Sequence, residues 1–118
     1  MKKEICHTNQ LLDNAINVNM YDDLLKQINK DLMLANLKMA ISLDCSPKVL
    51  IVELNNLVEH LINNEFDSFL NFLYRIDLSE DKIIHLSKNN QEIYIGSISF
   101  LILKREWKKV WFRRTYSS

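Results

Sequence analysis

The stretch Glu92-Ile-Tyr-Ile-Gly-Ser-Ile-Ser-Phe-Leu-Ile-Leu-Lys-Arg-Glu-Trp-Lys-Lys-Val-Trp-Phe-Arg-Arg114 decides between two folds. Its first half is rich in β-branched residues, the composition of a strand. A strand there would have no sheet to join. A helical stripe of Ile95, Ile98, Leu101 and Ile102 runs on instead into the second half. The reading is therefore one helix. On its wheel Leu103, Trp107, Val110 and Trp111 share a face, while Lys104, Arg105, Lys108, Lys109 and Arg113 occupy the opposite arc. The expectation is a two-sided rod, apolar toward its own globule and cationic outward.

The same stretch hides the charge distribution. The chain holds fifteen basic and fifteen acidic residues, for a net charge of zero. Residues 104–114 take six basic residues and one acid, so the first 103 residues keep nine and fourteen. An acidic body of −5 carries a tail of +5. Such asymmetry points to a binding role.

At 118 residues, of which 47% are hydrophobic, the chain makes one domain with a real core. One glycine and one proline are too few for hairpins or a phosphate-cradling loop, and so favour helices. Cys6 and Cys45 stand far apart in no metal-binding spacing, as expected of reduced cytoplasmic thiols. Met1-Lys-Lys-Glu-Ile-Cys-His7 lacks the apolar run of a signal peptide. The longest apolar run, Ile93 to Leu103, is about half the ~20 residues that a membrane span needs.

Upstream, residues 1–19 are polar and Asn-rich, and read as a loose arm with at most a short helix at 9–17. From Met20 a stronger helix places Tyr21, Leu24, Leu25, Ile28, Leu32, Ala35 and Met39 on one face. Asp22 precedes Lys26 by four residues, the favourable order for an ion pair. Residues 40–45 connect. Ser46-Pro47 is a helix start, with a hydroxyl for free N–H groups and a proline at the first helical position. Leu50, Ile51, Leu54, Leu57, Val58, Leu61 and Ile62 follow on one face. Asn63-Asn64 interrupts this helix or merely crosses it. Phe66, Phe69, Leu70, Phe72, Leu73 and Ile76 form the next apolar side. Ser79-Glu80-Asp81 caps a short helix to about Ser87, and Lys88-Asn89-Asn90 is a loop. The expected fold is all-α: a compact bundle of four to five helices over 20–114, a basic amphipathic helix at its end, and a tail at 115–118.

Leu61-Ile-Asn-Asn-Glu-Phe-Asp-Ser-Phe-Leu-Asn-Phe-Leu-Tyr-Arg-Ile-Asp-Leu-Ser-Glu80 and Leu101-Ile-Leu-Lys-Arg-Glu-Trp-Lys-Lys-Val-Trp111 resemble a family of small uncharacterised bacterial proteins. The likeness covers about residues 20–114 and rests on the Leu-Tyr-Arg-Ile-Asp and Arg-Glu-Trp-Lys-Lys segments. It implies an all-helical domain with a helical tail and implies no activity. Residues 1–19 fall outside it.

Candidates for chemistry are few. Cys6, His7, Cys45, His60 and His85 are the soft metal ligands, but none forms a Cys-x-x-Cys or His-Glu-x-x-His motif. Glu53, Asn56 and His60 share a polar helix face without a nucleophile, as a solvated face does. Asp77, Glu80 and Asp81 are explained by capping. Cys45, just before a helix start, is a candidate for a lowered thiol pKa, or a plain loop cysteine. Arg75 sits in an otherwise apolar helix and has Asp67 and Asp77 as candidate partners. Phe66, Phe69 and Phe72 read as core. No enzymatic activity, cofactor or small-molecule substrate is expected.

The tail is where function competes with plain structure. Phe112 lies within the basic arc, where an aromatic costs solubility unless it meets a partner. The expectation is a non-enzymatic protein–protein interaction module, an adaptor or small subunit. It would dock a protein, a second copy included, through Lys104, Arg105, Lys108, Lys109, Trp111, Phe112 and Arg113. The alternative is an RNA-binding or ribosome-associated factor using the same basic face.

Overall fold

In the computed structural model, which describes residues 2–84 and 91–116, those residues form six helices and no strand. They are α1 (Lys2–Asn17), α2 (Tyr21–Leu34), α3 (Pro47–Asn64), α4 (Phe66–Arg75), α5 (Glu80–Ile84) and α6 (Gln91–Tyr116). The 92–103 stretch is helical throughout, so the ambiguous segment resolves to helix and the fold is an all-α bundle. At 26 residues, α6 is ~39 Å long by helical rise. The molecule measures 41 × 32 × 26 Å, so α6 lies along its long axis. It packs on α1, α2 and α3, while α4 closes the bundle against α2 and α3. Leu12, Leu24, Ile28, Leu54, Phe69, Phe72, Ile98 and Ile102, drawn from five helices, lie fully buried in one core.

Two expectations are corrected. The N-terminal arm is a helix that belongs to the bundle. Leu11, Leu12 and Ala15 make a narrow apolar stripe buried against the rest, and the helix forms because α6 covers that stripe. This raises the helix count above the expected four to five. The helix from Met20 ends at Leu34 rather than near Met39. Asn36 turns left-handed at φ 63°, and the side chain of Asn29 clasps the connection beyond it. It accepts from the Ile41 N–H at 2.7 Å and donates to the Ile41 carbonyl at 2.8 Å.

Other boundaries follow the chain's own signals. Ser46 Oγ accepts the Val49 N–H at 3.4 Å ahead of Pro47. The Asn63-Asn64 interruption is a true break, with Glu65 non-helical between α3 and α4. Ser79 Oγ accepts the Asp81 N–H at 3.1 Å. The expected run to Ser87 and the loop at Lys88-Asn89-Asn90 fall at or beyond residue 85, outside the described residues.

With almost no glycine, the chain ends three helices by one device. Asn19, Asn36 and Asp77 all have positive φ, near 60°. The residue after each, Met20, Leu37 or Leu78, returns its N–H to a carbonyl five back, on Ala15, Leu32 or Leu73, at 2.8 to 3.0 Å. All three following residues are buried. This is the Schellman closure with its apolar contact, built on the side chains that best tolerate the left-handed region after glycine.

The closure predicts a sign difference at Asn36. Asn36→Ala should lower unfolding free energy by about 1 kcal/mol, while Asn36→Gly should leave it unchanged or raise it. Urea midpoints of the two variants decide this, and equal midpoints would refute it.

Candidate functional site

The tail meets α2 through a polar ladder. Asp23, Gln27 and Asp31 recur every four residues along one edge of α2. Lys109 and Arg113 share the same spacing on α6. Lys109 Nζ donates to Asp31 Oδ2 at 2.8 Å, Arg113 Nη1 to Gln27 Oε1 at 2.6 Å, and Arg114 Nη1 to Asp23 Oδ2 at 3.0 Å. Gln27 Nε2 adds a bond to Asp31 Oδ2 at 3.0 Å. From α4, Arg75 Nε stands 3.9 Å from Asp31 Oδ1. Asp31 is only 1% exposed, so its carboxylate depends on these donors.

Glu106 makes the site unusual. It is 0% exposed and lies on the buried arc between Leu103 and Val110. Neither of its oxygens has an ordinary donor, and the nearest cation, Lys109 Nζ, is 3.9 Å from Oε1. As two ionised groups, Glu106 and Asp31 would repel in a dry setting. Burial first, then contact with Asp31, pushes the Glu106 carboxyl up to about 9. As a neutral acid, Glu106 stands beside Asp31 without adding a second charge. Burial alone would raise Asp31 too, but the neutral Glu106 beside it and the bonds from Lys109 and Gln27 outweigh that and hold this carboxyl below the usual range.

The tail residues thus divide. Lys109 and Arg113 turn inward to α2. Arg105 Nε donates to the Ile76 carbonyl at 2.8 Å, and its Nη2 to Asp77 Oδ2 at 3.3 Å, completing the end of α4. Lys104 and Lys108 are exposed with no partner among the described residues. Val110 is buried and Trp107 half-buried, but Trp111 is 44% and Phe112 50% exposed. The expected wheel is corrected: α6 is rolled toward its cationic side, because the acidic edge of α2 captures that side. The outward arc of its last turns is Trp111, Lys104, Thr115, Lys108 and Phe112. The rings of Trp107 and Trp111 lie 5.9 Å apart, and Phe112 stacks on Tyr116 at 5.5 Å.

The remaining candidates disperse. Glu53 holds Ser42, its Oε1 accepting from Oγ at 2.9 Å, while exposed His60 meets Glu65 at 3.2 Å, so the polar trio on α3 does not converge. Cys45 is buried and free, and burial pushes its thiol up, against the activated reading. Its carbonyl accepts the Tyr21 hydroxyl at 2.8 Å. The His7 ring lies 5.8 Å from that of Phe100. Arg75 faces Asp31, not Asp67 or Asp77. Phe69 and Phe72 are core, and Phe66 is 48% exposed. Among the described residues no group of three acids, histidines or cysteines is placed to hold a metal, and no helix is long and apolar enough to cross a membrane. The side chain of Cys6, and His85, lie outside the description.

Sequence reasoning missed Asp31, Gln27 and Glu106. The usable signals were the matching four-residue spacings on α2 and α6, and a lone acid midway between two core positions of α6. Comparison with known proteins finds no matching family, curated protein or solved structure.

The carboxyl pair sets a pH dependence. The unfolded chain loses the Glu106 proton near the ordinary 4.5, and the folded chain keeps it to about 9. Between those values unfolding releases a proton, so stability should fall as pH rises, by up to about 1.4 kcal/mol per pH unit. Asp31 acts oppositely: its contribution is present above its ordinary 3.8 and lost as pH falls through its lowered folded value. Glu106→Gln should flatten the fall and raise stability at alkaline pH, whereas Asp31→Ala should cost about 3–5 kcal/mol. Urea titrations across pH test both, and an unchanged slope in Glu106→Gln would refute the proton held on Glu106.

Proposed function

We propose that this chain is a non-enzymatic interaction module that docks a protein partner through the outward arc of α6, with Lys104, Lys108, Trp111 and Phe112 as the contact residues. The observation that carries this is the company the two free lysines keep. Four of the six tail cations are engaged inside the fold. The two left over share one arc with two half-exposed aromatic rings. Large exposed aromatics are typical of interface hot spots, and here they bracket the two lysines on the arc. With each ring already half covered, burying the rest is worth about 1–1.5 kcal/mol apiece by area.

Arg105, Lys109 and Arg113 become positioning residues in this reading, since they hold α6 at the roll that turns Trp111 and Phe112 outward. A nucleic-acid partner has less to bind: two unengaged cations support a weak, shallow salt dependence, not the steep one that six would give.

A double Trp111→Ala, Phe112→Ala variant should keep the helical content and melting temperature of the parent within a few degrees. It should lose the partner that the tagged parent chain retains, or the parent's self-association in sedimentation. A parent chain that is strictly monomeric and retrieves the same proteins as the variant would overturn the proposal. RNA recovered in place of protein would do so too.

A further inference from the structure

Between the end of α1 and α6 lies a groove of about 310 Å³ lined by Asn14, Asn17, Val18, Trp107, Lys108 and Trp111. Its apolar wall is the pair of tryptophan rings with Val18, and its only charged lining residue is Lys108. Lys104 stands one turn earlier on the same arc. The occupant that fits must supply a large apolar side chain and, beside it, carboxylates for the two lysines.

The chain itself carries such a segment. Phe66, at the start of α4, is 48% exposed, and both its neighbours are acidic: Glu65 and Asp67. No other exposed large hydrophobic side chain among the described residues has an acid on each side. Asp67 is exposed without a partner among the described residues, and Glu65 has only the exposed His60, at 3.2 Å. We infer that the partner of the α6 arc is a second copy of this chain, whose Glu65-Phe66-Asp67 segment seats Phe66 against the Trp107–Trp111 wall and its carboxylates on Lys108 and Lys104. The inference rests on the docking role proposed for that arc and specifies its partner. Each copy owns both halves of the contact, so the pairing closes as a two-fold dimer when both halves are used reciprocally, and otherwise propagates head to tail.

Charge exchange provides the test. None of the four charged residues makes a contact within the core, so their variants should fold as the parent does, which circular dichroism verifies. Sedimentation of the parent should show reversible self-association that weakens with added salt. Lys104→Glu with Lys108→Glu, or Glu65→Lys with Asp67→Lys, should each weaken it by about tenfold or more. A mixture of the two double variants should associate again, because every lysine once more meets an acid. Phe66→Ala should weaken association without altering its salt dependence. The inference is overturned if the parent is monomeric at all concentrations, or if the mixture associates no better than either variant alone. Should the parent be monomeric and yet lose a different protein through Trp111→Ala with Phe112→Ala, the docking role survives and the second copy is excluded.

Discussion

Asp31 is a carboxylate shut away from water at the meeting of three helices, and the rest of the molecule is arranged around satisfying it. Its acceptor positions are met by Lys109 from α6 and Gln27 from its own helix, with Arg75 of α4 at longer range. Glu106 adds the fourth neighbour by staying protonated. An isolated ion in that place would cost several kcal/mol. The cluster keeps it charged by surrounding it with donors and by keeping the neighbouring acid neutral. Burying such a group gives little net stability over a well-packed apolar alternative. Its consequence is geometric, since α6 can bury its last turns only at the roll that presents Lys109 and Glu106 to α2.

That roll redistributes the charge of the tail. Composition alone describes an acidic body with a basic appendage, which suggests a cationic surface looking for an anion. In the folded chain much of the attraction is internal. Asp23, Asp31 and Asp77 take Arg114, Lys109 and Arg105, and Gln27 takes Arg113. What remains outward is modest in charge and high in aromatic area. The electrostatic character of the exposed arc is thus set less by the tail's sequence than by which of its cations the body has already consumed.

Much of the fold was legible because its signals are local. Ser46-Pro47 caps and starts a helix as its chemistry dictates, and the apolar stripe that carries Ile95 into Ile102 distinguishes helix from strand without reference to anything else. The arm at 1–19 was misjudged because Leu11, Leu12 and Ala15 make too thin a stripe to announce a helix until α6 is there to cover it. The end of α2 was misplaced because an asparagine in the left-handed region leaves no mark on a helical wheel. The buried ladder was illegible for a different reason. Asp23, Gln27 and Asp31 look like the solvated edge of an amphipathic helix, and only the opposing residues of α6, more than seventy positions away, make that edge interior. Polar residues read as surface by default, so a buried polar seam is the feature that single-helix reasoning is least able to see.

One acid among the tail's cations has a specific structural effect. Arg105, Lys109 and Arg113 repeat every four residues, so sliding α6 by a turn in either direction would still bring a cation to Asp31. Charge pairing alone therefore permits three registers of α6 against α2. Glu106 occurs once. In the observed register it stays protonated beside Asp31 while Arg105 reaches the carbonyl that ends α4. After a slide of one turn, an aliphatic side chain (Ile102 or Val110) would face Asp31 in its place. Glu106 would then sit away from the polar cluster around Asp31, and its burial would cost more. A polar residue at a single interior position selects among otherwise equivalent packings at some cost in stability, as it does in coiled coils. A slide by a turn would keep the same arc outward, so what Glu106 fixes by setting the register is the height along the bundle at which Trp111 and Phe112 stand, without touching either.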